Sequence, residues 1–219
     1  MKKYLLTSVT RLTTLLTLAI IVIGCQTTGN ERAGETRTSM QSVENDIVAL
    51  NAQLDATNSA LSTLFSPQQT NQEKAFENYS KSADKVQEAG NNFLKHTDAM
   101  ATSGADYFSE WRKQGDSYTN PQIRAISEER RAELSSAFTR IAQASVGLRS
   151  SLQTYLVDIK DIRTYLSTDL TPKGVEAMKP TADKAMADGA TLKLQIEPVL
   201  LAVTEARRQL SPNAAPVTQ

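Results

Sequence analysis

Residues 138–166 read FTRIAQASVGLRSSLQTYLVDIKDIRTYL, and the placing of their apolar side chains decides the fold class. Phe138, Ile141, Leu148, Leu152, Tyr155, Ile159, Ile162 and Leu166 recur at alternating steps of three and four, with Ser145 as a polar slip. That spacing keeps one stripe of a helix turned toward a partner, whereas a strand needs alternation with period two. Upstream, Asn120-Pro121 marks the start of this helix, because proline is at ease in a first helical turn. The charged opening from Arg124 to Arg131 reads as a solvated face.

The same spacing recurs on both sides. Met40, Val43, Ile47, Leu50, Leu54, Thr57, Leu61 and Leu64 form a seam that starts behind a capping-box pattern, Thr38 with Gln41, and stops at Ser66-Pro67. Another begins at Thr70 with Glu73 and runs through Phe76, Tyr79, Val86, Phe93, Met100, Tyr107 and Trp111, thinned by Gly90 and Gly104. Those glycines either weaken the helix or permit close contact. Gly115-Asp116-Ser117 ends it. The last seam opens at Thr171-Pro172 and closes at Leu210, with Pro180 and Pro198 inside and expected to bend it. No window alternates with period two. The expectation is an all-α domain over 38–210, an elongated antiparallel four-helix bundle or coiled coil, followed by a disordered tail over 211–219. Its modest seams leave apolar area that a homo-oligomer would cover.

The N-terminal segment is of another kind. Lys2, Lys3 and Arg11 precede an uncharged run that ends Val22-Ile23-Gly24-Cys25. A basic lead and an apolar stretch too short to span a bilayer make a secretory signal. The four residues at its end resemble the bacterial lipobox, which implies cleavage after Gly24 and a lipid on Cys25. Cys25 is the only cysteine, so it has no internal disulfide partner. By the same resemblance Gln26, in place of aspartate, implies sorting to the inner leaflet of the outer membrane, facing the periplasm. Residues 1–24 are thus expected to be removed, and residues 25–37, polar with two glycines, to form a flexible tether.

Loss of that leader leaves 21 basic against 24 acidic residues, a charge that gives no reason to expect nucleic-acid binding, which needs a concentrated basic face. With one histidine, His96, and a lipidated cysteine, nitrogen and sulfur ligands for a metal or haem are nearly absent, and no cofactor is expected. Phosphate-loop, nucleophile-elbow and zinc-protease spacings do not occur. Di-iron bundles need Glu-x-x-His, but the residue three before His96 is Phe93. Asp158, Asp161 and Asp169 read as solvated surface.

Four of the twelve aromatic residues, Tyr107, Phe108, Trp111 and Tyr118, gather near the second turn, beside Arg112 and Lys113. With a first helix of about 29 residues and a second of about 44, this turn would overshoot the tethered end by about 20 Å, toward the membrane. There the aromatics would form an interaction tip touching lipid, since Trp and Tyr favour the water–bilayer boundary. Alternatively, Tyr107 and Trp111 are seam positions packed on the third helix near Ile123 and Ile126.

Phe108-Ser109-Glu110-Trp111, Tyr118-Thr119-Asn120 with Ile123-Arg124, and Asp158 to Leu170 leading into Gly174 resemble an uncharacterised family of bacterial helical envelope proteins. The likeness spans residues 40–210 and implies a continuous helical architecture. It carries over no activity and no functional residue. The functional expectation is a non-enzymatic lipoprotein, a scaffold, spacer or partner-binding coiled coil. Its partners would be the membrane, through the lipid, and an unidentified envelope protein. The alternative is a membrane-active bundle whose 107–118 hairpin touches lipid.

Overall fold

The computed structural model describes residues 28–212; Cys25, the leader and most of the tail lie outside the described residues. Five helices follow one another: α1 (Gly29–Leu64), α2 (Gln72–Asp116), α3 (Pro121–Ala144), α4 (Leu148–Thr168) and α5 (Pro172–Gln209). No strand occurs among the described residues. Helices α3 and α4 each pack on both α2 and α5, so together they make one arm of a four-armed bundle.

The arms alternate in direction. Along α1 and α2, Arg32 meets Glu110, Asp46 meets His96 and the Thr57 hydroxyl donates to the Ser82 carbonyl, so positions rise on one helix as they fall on the other. Between α2 and the third arm, Trp111 bonds Ser127, Asp98 pairs with Arg149 and Asp84 with Arg163. Helix α5 runs back along α1, from Asn58 bonded to the Met186 carbonyl to Arg37 bonded to the Leu210 carbonyl. The core is the seam expected from the spacing: Ile47, Leu50, Leu54, Tyr79, Val86, Leu152, Tyr155, Ile159, Ile162, Ile196 and Val203 are all sealed from solvent.

Three boundaries differ from expectation, each for a local reason. The stretch expected as a tether is helical from Gly29, not from Thr38. Thr28 caps it: its hydroxyl accepts the Glu31 backbone N–H (3.2 Å), and Glu31 accepts the N–H of Thr28 (2.5 Å). Arg32, Thr36 and Arg37 then contact Glu110, Ser103 and the end of α5, and this tertiary contact overrides the poor helix propensity of Gly29 and Gly34. Thr38 donates to the Gly34 carbonyl within the helix and caps nothing. At α2 the cap is Asn71, whose side chain accepts from the Lys74 N–H, in place of Thr70. The third arm is broken at Ser145–Gly147, where Gly147 adopts φ +79°, a left-handed conformation that glycine takes without a Cβ clash. Leu134, Ile141, Leu148 and Tyr155 nevertheless remain seven apart and buried, so the break leaves the seam in phase.

Helix α5 runs through both internal prolines. Pro180 and Pro198 lie on the exposed side, as do Glu176 and Leu194, whose carbonyls lose a helical donor and can turn to water instead. Close approach explains two glycines: a Cβ on Gly90 would sit 2.7 Å from Leu156 Cδ1, and one on Gly189 2.8 Å from Asn58 Oδ1.

Two buried tyrosines differ in how their hydroxyls are satisfied. Tyr79 donates to the Ile159 carbonyl at 2.6 Å. The Tyr155 hydroxyl has no hydrogen bond of good geometry: the neighbouring Thr57 hydroxyl is turned to Ser82. Burial pushes both phenols above their ordinary pKa. Tyr79→Phe is therefore expected to lower stability by about 1 kcal/mol. Tyr155→Phe should be neutral or stabilising, because it removes a buried group that bonds nothing. Paired urea titrations check the contrast, and equal losses would contradict it.

Candidate functional site

The end of the bundle formed by the start of α1, the end of α2 and the start of α3 holds the residues the sequence singled out. Each is positioned by helix phase. Tyr107, Phe108 and Trp111 share one side of α2 because steps of three and four bring side chains together. Tyr107 lies 5.4 Å from Phe108 and 5.5 Å from Trp111, ring centre to ring centre, and Phe108 meets Phe138 of α3 edge-on at 5.0 Å. The Trp111 indole N–H donates to the Ser127 hydroxyl at 2.8 Å. All three rings are half-buried and packed against the core. They thus form cross-helix packing, but not on Ile123 and Ile126, which stay 49% and 66% exposed. Tyr118 lies beyond them in the turn, where its carbonyl accepts from Arg124 at 2.7 Å.

The longer α1 changes the geometry. Its first residue meets the last turn of α2: a Cβ on Gly29 would lie 3.5 Å from Gln114 Oε1, and Thr28, Gly29, Gln114 and Ser117 border one groove. The expected overshoot of the α2–α3 hairpin beyond the start of α1 is therefore absent. Instead Gly29, Arg32, Tyr107, Glu110, Trp111 and Gln114 enclose a hollow of about 200 Å³. Arg32 bridges to Glu110 at 3.1 Å, and Glu110 also takes Lys113 at 2.6 Å. Lys113 chiefly, with Arg32, holds the Glu110 carboxyl below its ordinary pKa. The Thr28 backbone N–H does the same to Glu31.

Both carboxyls favour the folded state above the pKa near 4.3 of an unfolded glutamate, and that contribution is lost as pH falls through the lower folded values. Acidification from pH 5 to pH 3 is thus expected to loosen the start of α1. Amide exchange over residues 31–35, corrected for intrinsic rate, should accelerate, and unchanged protection would refute the assignment.

Other singled-out groups are structural. His96 Nδ1 meets Asp46 Oδ2 at 2.6 Å across α1 and α2. Asp158 pairs with Lys184, and Asp169 accepts both the N–H and the hydroxyl of Thr171 to fix the α4–α5 turn. Among the described residues no group of three or more His, Cys, Asp or Glu is placed to hold a metal ion. None of the described helices is long and apolar enough to cross a membrane. Sequence reading missed Arg32 and Glu110 as a pair; only the helicity of 29–37, hidden by its two glycines, brings them together.

No curated protein matches the chain. A family model does, over residues 31–208, and it covers all five helices nearly end to end. The chain belongs to that family, whose description is protein of unknown function (DUF2959).

Proposed function

We propose that the protein is an envelope lipoprotein, held by lipid on Cys25 in the inner leaflet of the outer membrane, that serves as a non-enzymatic periplasmic spacer or scaffold. The observation that carries the reading is the join between the two parts of the chain. The basic lead, the apolar run and Gly24-Cys25 end three residues before Thr28, where a capped helix begins. Three residues reach about 10 Å at most, so the helical body would stand directly on its anchor. Helix α2, with 45 residues, spans about 68 Å, a length suited to holding a partner at a set distance from the membrane. The long outer faces carry ion pairs such as Lys193 with Asp55 and Lys179 with Asp183, and no deep apolar cleft is needed for such a role.

Crosslinking in intact cells, followed by identification of what is joined to the outer faces, tests the scaffold role. A reproducible envelope partner lost on charge reversal of an outer face supports it. Turnover of an envelope substrate by the purified protein, abolished by one point change, would defeat it.

A further inference from the structure

The bundle does not keep four arms to its end. Helix α5 stops at Gln209, whose carbonyl accepts from Arg130 at 2.9 Å, nine residues into α3 from Pro121. The first turns of α3 therefore lie beyond the last helical residue of α5. The buried stripe of α3, Ile141, Leu134 and Ser127, continues toward the turn as Ile123, one helical turn before Ser127, with Ile126 beside it. Farther along, this stripe is covered by α5. Here Ile123 is half exposed and Ile126 two-thirds exposed. Ile123, in core phase with Ala137, thus lacks a fourth helix; Ile126 adds an exposed apolar side chain beside it, and Tyr118 stands half-buried in the adjoining turn.

We infer that this open end of α3, with Ile123, Ile126 and Tyr118, is a second membrane contact that seats in the headgroup layer of a phospholipid bilayer. The inference rests on the anchoring reading above. Thr28 and Gly29 border the same groove as Ser117, so the start of α1 is level with the α2–α3 turn. Cys25 is only three residues before Thr28, a reach of about 10 Å at most from that groove residue. The headgroup layer is about 5–8 Å thick, and Ile126 lies about 8 Å along α3 from its start, so both isoleucines fall within reach of it. Between residues 110 and 131 the five cations Arg112, Lys113, Arg124, Arg130 and Arg131 stand against the four acids Glu110, Asp116, Glu128 and Glu129, a slight cationic excess where lipid phosphates would lie. Two shallow apolar side chains bind a bilayer weakly alone, but a neighbouring acyl anchor raises their effective concentration.

The test uses the lipidated full-length protein with vesicles of phosphatidylethanolamine and phosphatidylglycerol. Ile123→Cys, Ile126→Cys and Leu194→Cys carry a spin label one at a time; Cys25 itself, being in a thioether, does not react. Leu194 is exposed on α5, far from the turn. On vesicle binding, oxygen accessibility is expected to rise severalfold at 123 and 126 and to stay unchanged at 194. Labels that remain in water while the protein is vesicle-bound overturn the inference and leave the anchor intact. Labels already shielded before vesicles are added show that the tail or a second copy covers the patch, and overturn it too. Protein that does not bind vesicles at all defeats the anchoring reading and this inference together. The three sites are exposed, so the labelled proteins keep the fold; their helical circular dichroism verifies it.

Discussion

Ile159→Ala is expected to lower the unfolding free energy by about 2–5 kcal/mol. Ile159 is fully sealed in the middle of α4, between α2 and α5, and its carbonyl also receives the Tyr79 hydroxyl. Truncation removes three carbons from a site walled by long helices that cannot close on the void without moving their own seams. Val157, two residues away and 55% exposed, provides the control: Val157→Ala should change stability by no more than about 0.5 kcal/mol. Urea unfolding followed by helical circular dichroism measures both. Losses of equal size would show that α4 is not packed as described.

The second large effect concerns Gly104→Ala. Alanine favours a helix over glycine by about 1 kcal/mol, so at an open position the change stabilises. At Gly104 the added Cβ would overlap the edge of the Phe138 ring, with Cδ1 at 2.9 Å and Cζ at 3.2 Å. Phe138 is itself held edge-on by Phe108 and cannot swing away freely. Overpacking of this kind costs about 1–3 kcal/mol, enough to outweigh the propensity gain. Gly34, where an added Cβ meets only the Arg37 guanidinium at 3.6 Å, should respond in the opposite direction. The melting temperatures of the two variants are expected to move apart, Gly34→Ala upward and Gly104→Ala downward. A common rise would mean that α2 and α3 do not approach as closely as described.

The seams were legible because a step of three and four depends only on the residues themselves. Tyr155, Ile159 and Ile162 are buried as their spacing requires, and Asn120-Pro121 and Thr171-Pro172 open helices through the caps their chemistry supplies. What was hidden depended on partners. Gly29 and Gly34 argue against a helix locally, yet the segment is helical because Arg32 and Arg37 find Glu110 and the end of α5. The break at Gly147 was concealed because the heptad phase continues across it. At the aromatic end, sequence placed Tyr107, Phe108 and Trp111 together but not what they touch. Ser127 takes the indole, Phe138 takes Phe108, and the exposure of Ile123 follows from where the end of α5 sits against α3, a register no local pattern states.

The proposal of an anchored bundle is tested most directly by the N-terminal peptide of the protein isolated from the membrane fraction. Mass spectrometry is expected to find a chain that begins at Cys25 with diacylglyceryl on its sulfur, and Cys25→Ala should leave an uncleaved, unlipidated chain. A mature protein that begins elsewhere, or that carries an unmodified Cys25 thiol, would contradict the account.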